Sequence, residues 1–170
     1  MRQRVQTQNR EPDQPSGFYE ELVATYKREQ EQRSTGAVVI RAKETEWEVA
    51  RQGRLRWFSH MRFWHKLAAP GWHIFEQDII RHSGKHVHQG GLGIFVTEGT
   101  GYTVVDGVRY DWEAGDLIVL PIKPGGCEHQ HFNLVEGENC RWMAFVYRPF
   151  SDCMGDSLNQ REVSPEWKPS

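Results

Sequence analysis

The pattern of hydrophobic and polar residues changes at Gly36. In the segment 17–35, Phe18, Leu22 and Tyr26 are spaced four residues apart, which places them on one face of a helix. Acidic residues come early in this segment and basic residues come late, as the helix dipole favours. The pattern predicts one amphipathic helix over 17–35, packed on the rest of the chain or on a neighbouring subunit.

After Gly36 the chain consists of short runs rich in β-branched and aromatic residues, separated by turn residues. Asp106-Gly107 lies between two such runs and predicts a tight β-hairpin. The glycines of "HQGGLG" and "EGTG" are predicted to be turn and bulge glycines, because no Gly-Lys-Ser/Thr sequence follows them. The runs are AVVI from 37, LRWF from 55, WHIFEQDII from 72 and IFVTEG from 94. Many short strands at close spacing predict an all-β sandwich or barrel over residues 36–150.

The ends of the chain differ from this central region. Residues 1–16 are polar and contain prolines, and we predict a flexible arm there. Residues 151–170 contain no long apolar run and are predicted to be a C-terminal tail. A length of 170 residues fits one domain.

Composition narrows the range of partners. The formal net charge is −2, which gives no overall attraction to nucleic acid or to anionic lipid. The segment 51–66 interleaves basic and aromatic residues, a pattern also found on surfaces that bind single strands, but the near-neutral charge favours buried aromatics instead. No export signal or membrane span is visible, and the three cysteines form no CxxC pair. We therefore expect a soluble cytoplasmic protein that acts on a small molecule.

Histidines supply the candidate chemistry. His86 and His88 are two residues apart, and so are His129 and His131. Residues at i and i+2 of a strand point to the same face, which suits a shared metal. Strands that are distant in sequence are often neighbours in a closed barrel, so histidines from both pairs can converge on one metal.

Two stretches resemble the sequence motifs of the cupin superfamily. The first, from Gly84 to Gly99, has the His-x-His pair and the closing glycine, and the second begins at Gly115 and is stretched by three residues. Both lie within residues 72–149. The resemblance implies a single small antiparallel barrel, a double-stranded β-helix or jelly roll, with a metal near its centre. The positions shared with the three-histidine dioxygenases of the superfamily are His86, His88, Phe95, Glu98, Gly99, Gly101, Asp106, Gly107, Gly115, Asp116, His129, His131 and Asn133.

The chain departs from the usual cupin pattern at Leu92. Cupins usually have a glutamate ligand at this position, so the implied ligand set reduces to His86, His88 and His129. The nearby Glu98 is predicted to cap a hairpin. A divalent metal held by three neutral imidazoles keeps its full positive charge and favours an anionic chelating ligand.

This ligand set is similar to that of the ring-cleaving dioxygenases, with gentisate dioxygenase as the nearest analogue. Three facial imidazoles leave about three positions on an octahedral Fe(II), enough for a bidentate substrate and O₂. The resemblance implies a mononuclear non-haem Fe(II) dioxygenase acting on a small hydroxylated aromatic or another chelating anion. Manganese, nickel, copper and zinc are the alternative metals.

Several alternatives stay open at this stage. His131 is either a fourth ligand or a catalytic acid or base beside the metal, and we favour the second role because a fourth ligand fills a position that substrate and O₂ require. The alternative function is a non-oxidative cupin: a small-molecule-binding protein, or a metal-dependent lyase or isomerase. Leu92 also fits a degenerate site that has lost activity. Small single-barrel cupins commonly form dimers, so we expect a homodimer.

Overall fold

Two antiparallel β-sheets, preceded by one long helix, make up the fold in the computed structural model, which describes residues 17–169. The helices are α1 (Phe18–Thr35) and α2 (Arg148–Cys153), with short 3₁₀ helices at Ala42–Glu44 and Met61–Lys66. The strands are β1 (Trp47–Ala50), β2 (Gly53–Ser59), β3 (Trp72–Asp78), β4 (Lys85–His88), β5 (Gly93–Glu98), β6 (Thr100–Val105), β7 (Val108–Glu113), β8 (Leu117–Val119), β9 (Cys127–Asn133), β10 (Arg141–Tyr147) and β11 (Asn159–Glu162).

Strands that are distant in sequence pair within each sheet. One sheet has the order β1-β2-β3-β10-β5-β8, and the other has the order β11-β4-β9-β6-β7. Apolar side chains from both sheets form a single buried cluster between them. Its members are Ile79, Leu92, Ile94, Val96, Trp112, Leu120, Cys127, Cys140, Trp142 and Ala144. The predicted all-β barrel with an N-terminal helix is therefore confirmed.

Two glycine predictions have different outcomes. The hairpin at Asp106-Gly107 joins β6 to β7, and both residues have positive φ, 50° and 83°, as its tight turn requires. Gly101, in contrast, is neither a turn nor a bulge residue, because it lies inside β6 and pairs with Trp112 and Asn133. A Cβ at Gly101 would lie 2.1 Å from Cη2 of Trp112. The glycine thus makes room for the indole ring.

Helix α1 is present where the sequence predicts it, but its apolar face is not packed on the barrel. Phe18, Leu22 and Tyr26 are 94%, 47% and 61% exposed, and no residue of the helix is buried. The helix is held at its C-terminal end, where Nε2 of Gln32 donates to the carbonyl oxygens of Trp64 and Leu67 at 2.6 and 3.0 Å. Packing against a neighbouring subunit stays a prediction.

The strand predicted for residues 37–40 is not formed. The one β-type pairing in this segment is an isolated bridge between Ala37 and Leu67. The boundary at residue 150 also needs correction. Residues 159–162 form β11, the edge strand of the second sheet, and Gln160 pairs with His86. An exposed edge strand needs no apolar alternation, so this polar segment resembled a tail. The predicted arm over 1–16 lies outside the described residues.

Two arginines of the segment 51–66 are engaged within the first sheet. Arg54 donates to Asp78 at 2.7 Å, and Arg56 is paired with Glu76. All three cysteines of the chain are free. None of the helices within residues 17–169 combines the length and apolar character needed to span a membrane.

Candidate metal centre

Three histidines converge from two neighbouring strands of the second sheet. His86 on β4 pairs directly with His129 on β9, and His88 lies two residues further along β4 on the same face. The ring centroid of His129 lies 4.2 Å from that of His86 and 4.6 Å from that of His88. The strands are adjacent although four others intervene in sequence, so the barrel supplies the third histidine that the first pair lacks.

The three rings can hold one metal ion. One ligand atom from each of His86, His88 and His129 lies within 4.8 Å of the others. Over residues 17–169 no carboxylate and no further histidine belongs to this group. Three imidazoles suit iron, copper, nickel, manganese or zinc, so the arrangement fits a divalent transition metal without selecting one.

Hydrogen bonds orient each of the three rings. The Nδ1 atoms of His86, His88 and His129 lie 3.2, 2.5 and 3.1 Å from the carbonyl oxygens of Gly84, Gln89 and Cys127. A carbonyl oxygen only accepts hydrogen bonds, so in a neutral ring the proton is on Nδ1. The lone pair is then on Nε2, where a metal can bind it.

Burial keeps these rings neutral. Desolvation, with a contribution from His88, lowers the pKa of His86 to about 4. Desolvation also lowers the pKa of His88, and desolvation with the neighbouring His86 holds the pKa of His129 far below its usual range. Neutral imidazole is the form that binds metals, so no proton has to leave before coordination at neutral pH.

Leu92 lines the same cavity as the three histidines and is 6% exposed. The position where the cupin motif usually has a glutamate therefore lies in the same cavity as the three histidines, but it carries an apolar side chain. Glu98 lies elsewhere: it accepts a hydrogen bond from Asn139 at 2.9 Å and pairs with Arg141 at 3.3 Å. It does not replace the missing carboxylate.

A cavity of about 480 Å³ opens beside the histidines between the two sheets. Its walls are largely apolar and aromatic, and the aromatic members come from the first sheet. The aromatic members are Trp57, Phe75 and Trp142, and the aliphatic lining includes Leu55, Ile94 and Val146. A cavity of this size and lining suits one small molecule.

Polar residues from the C-terminal segment complete the cavity, and the sequence analysis did not include them. Arg148, Asp156 and Gln160 all line it. Asp156 accepts from the backbone N–H of Gln89 at 2.7 Å and lies 3.6 Å from Arg148. No local pattern identified these residues, because their place at the site depends on how α2 and β11 return to the barrel.

His73, on β3, is a further cavity residue that no sequence pattern identified. It stacks on His60 with ring centroids 5.1 Å apart. Burial, with a smaller contribution from His60, lowers its pKa to about 4, and its buried Nε2 has no hydrogen-bond partner within residues 17–169. His73 belongs to the opposite sheet and is not a member of the three-histidine group.

His131 also lines the cavity but is separate from the three-histidine group. Its ring centroid lies 5.5 Å from that of His129, and the residue is 1% exposed. Burial, reinforced by His86 and His88, lowers its pKa to about 3. It is therefore a neutral polar ring in the cavity wall.

Comparison with known proteins identifies the domain type. Residues 80–146 match the family described as the cupin domain. No curated protein matches the chain. Among solved structures, the polyketide cyclase RemF from Streptomyces resistomycificus is 17% identical with a TM-score of 0.55, over 76% of this chain and 89% of that one. A cupin 2 conserved barrel domain protein from Salinispora arenicola is 19% identical with a TM-score of 0.52, over 71% and 98%. These two likenesses concern the fold.

A further match is to part of a longer enzyme. The salicylate 1,2-dioxygenase from Pseudaminobacter salicylatoxidans is 26% identical over 60% of this chain, with a TM-score of 0.46. The chain spans only 29% of that enzyme's length. A partial match of this kind transfers no activity by itself.

Proposed function

We propose that this chain, whose residues 80–146 match the cupin domain, is a mononuclear non-haem iron(II) dioxygenase acting on a small chelating anion, such as a hydroxylated aromatic acid. The observation that carries the proposal is the ligand set: three neutral histidines with no carboxylate among them. Such a set leaves the charge of the metal uncompensated, and an anionic ligand compensates it. The sequence resemblance to three-histidine dioxygenases supports the same reaction class.

The residues that would hold the metal are His86, His88 and His129, each through Nε2. Iron(II) at this position supplies the redox chemistry that couples O₂ to the oxidation of a chelating substrate. The backbone carbonyls of Gly84, Gln89 and Cys127 fix the ring orientations, so the ligands are ordered before the metal arrives.

The cavity walls supply substrate selection in this proposal. Trp57, Phe75 and Trp142 would present aromatic surface to a planar ring, and Leu92 lines the same cavity without offering a ligand atom. Arg148 is a cation in the cavity lining, but it is already paired with Asp152 and Asp156. The metal, more than this arginine, would therefore attract the negative charge of the substrate.

The first test measures metal content and its dependence on His129. We expect purified wild-type protein to hold about one transition-metal ion per chain, and His129→Ala to lose most of it, because two imidazoles bind weakly. His65→Ala removes an exposed histidine outside the cluster and serves as the matched control. Equal metal in His129→Ala and wild type, measured by elemental analysis, would show that the ligand set is wrong.

The second part of this test measures oxygen consumption by the iron-loaded protein with a panel of hydroxylated aromatic acids. Substrate-dependent uptake that disappears in His129→Ala supports the dioxygenase. Conversion of a substrate without oxygen consumption would instead indicate the non-oxidative alternative, a metal-dependent lyase or isomerase. Binding without conversion would indicate a small-molecule-binding cupin.

A further inference from the structure

His131 faces the cavity without belonging to the ligand group, so its function depends on which ring nitrogen carries the proton. Its Nδ1 lies 2.8 Å from Oγ1 of Thr103, the residue directly opposite it on β6. No partner for Nε2 occurs within residues 17–169. The contact with Thr103 therefore decides the tautomer.

Thr103 is itself held by Trp112. The indole Nε1 of Trp112 donates to Oγ1 of Thr103 at 2.8 Å. An indole N–H only donates, so the hydroxyl oxygen is the acceptor in this contact. Thr103 is fully buried, and its hydroxyl hydrogen has one remaining partner, Nδ1 of His131. A buried hydroxyl donor without an acceptor is costly, so this hydrogen bond runs from Thr103 to His131.

Because the hydrogen bonds run from Trp112 through Thr103 to His131, His131 has the opposite tautomer from the three candidate metal ligands. Nδ1 of His131 accepts and carries no proton, so the proton of the neutral ring is on Nε2. In His86, His88 and His129 the carbonyl contacts place the proton on Nδ1 and leave Nε2 free. The difference separates three metal-binding rings from one hydrogen-bond donor.

We propose that Trp112 and Thr103 are positioning residues that hold His131 as the Nε2–H tautomer, which makes it a hydrogen-bond donor to a bound substrate and not a fourth metal ligand. The inference rests on the proposed function, because it requires a small-molecule ligand beside the three histidines. The ligand atom recognised would be an acceptor oxygen: a phenolate, a carboxylate or a carbonyl oxygen. The Nε2–H group of His131 would favour ligands that place such an oxygen next to this side chain of β9.

Close packing surrounds the hydrogen-bond relay that runs from Trp112 through Thr103 to His131. Gly101 lies opposite Trp112, and any side chain there would meet the indole at 2.1 Å. Trp112 is 6% exposed, and Thr103 has no exposed surface. Neither residue belongs to the three-histidine group, so their expected effect is on ligand binding and not on metal content.

The test is nuclear magnetic resonance of protein labelled with ¹⁵N in histidine, both metal-free and loaded with diamagnetic zinc. Two-bond ¹H–¹⁵N correlations report which nitrogen of each ring is protonated, and a His131→Gln variant assigns the His131 signals. We expect Nε2–H for His131 and Nδ1–H for His86, His88 and His129. An Nδ1–H tautomer at His131 in the wild-type protein would overturn the proposal, whatever the metal content.

Variants at Thr103 then test the hydrogen-bond relay from Trp112 through Thr103 to His131. Thr103→Val keeps the side-chain shape without the hydroxyl, and we expect His131 to lose its single tautomer while zinc stoichiometry stays unchanged. Affinity of the zinc-loaded protein for 2-hydroxybenzoate, measured by calorimetry, should fall about tenfold or somewhat less, as expected for one lost hydrogen bond. Thr103→Ser restores the hydroxyl and should restore both readouts.

The matched control is Thr97→Val, which removes a hydroxyl that donates to the carbonyl of Arg141 away from the cavity. It should leave the His131 tautomer and the 2-hydroxybenzoate affinity unchanged. If Thr103→Val does not fold, the wild-type tautomer and Thr103→Ser still decide the question. A protein that binds no zinc contradicts the proposed function, whereas one that binds zinc with His131 as Nδ1–H contradicts only the relay.

Discussion

Leu92 is the residue of the candidate metal centre that stands where the cupin motif usually has a glutamate. It lines the cavity with His86, His88 and His129, although Gly91 before it has a positive φ of 76° and the segment 89–92 lies outside the strands. The glycine turn therefore does not remove position 92 from the site. Leu92 therefore brings a buried isobutyl group, which has no ligand atom, to the cavity that the three histidines line.

We expect Leu92→Glu to move two affinities in opposite directions. The new carboxylate adds a fourth ligand and lowers the charge of the metal site, so metal binding should tighten by about tenfold or more while binding of 2-hydroxybenzoate weakens. Metal competition with a chromogenic chelator and calorimetry measure the two effects.

Leu92→Gln is the matched control for this change, because glutamine has the shape of glutamate without its charge. It should strengthen metal binding much less than the glutamate does. A Leu92→Glu protein that loses stability and keeps its wild-type metal affinity would mean that the new side chain is buried without a partner, at a cost of several kcal/mol, and does not reach the metal.

Among the elements, β11 is the one whose role the sequence did not predict. It pairs with β4, the strand that carries His86 and His88, and it covers what would otherwise be a free edge. Gln160 of β11 accepts from Nε2 of Gln52 at 2.9 Å and lines the cavity. The segment therefore supports the ligand strand and one wall of the cavity together.

Removal of residues 158–170 should lower both stability and metal affinity. The loss of the β11 ladder exposes the edge of β4 and frees its two histidines to move, so we expect the melting temperature to fall by roughly 5 °C or more. Thermal unfolding and metal competition measure the result. Glu162→Gln removes only the partly exposed ion pair with Lys85 and should change little. Unchanged metal affinity after truncation would show that β4 is ordered without its neighbour.

At the scale of the whole molecule, the exposed face of α1 is the surface on which we expect the predicted homodimer to form. Phe18 and Tyr26 are mostly exposed, and the helix is hydrogen-bonded to the barrel near its C-terminal end. Apolar faces of this kind commonly mark protein interfaces. The predicted homodimer would bury this face, since no residue of α1 is buried within the part of the chain that the structure describes.

We expect light scattering at micromolar concentration to give the mass of a dimer, and the double variant Phe18→Ser, Tyr26→Ser to give that of a monomer. Tyr110→Ser changes an exposed tyrosine on β7 and serves as the control for a general loss of surface aromatics. If the wild-type protein is a monomer, α1 does not form a dimer interface. A dimer that persists in the double variant would place the interface on another surface.

The sequence by itself determined those features that depend on neighbouring residues. Alternation with a period of two placed His86 and His88 on one face, Asp106-Gly107 specified a hairpin, and the spacing of apolar residues located the helix that the structure has at Phe18–Thr35. Each follows from local backbone geometry, which is the same wherever the segment lies in the fold.

Tertiary structure alone decided which strands are neighbours and what their side chains meet. The pairing of His86 with His129, the addition of polar β11 to the sheet and the alignment of Trp112, Thr103 and His131 all depend on cross-strand register. Register is set by the packing of the whole barrel, because shifting one strand by one residue moves every side chain to the opposite face. No short stretch of sequence contains that information, so the histidines were predictable, whereas Thr103 and Trp112, which orient His131, were not.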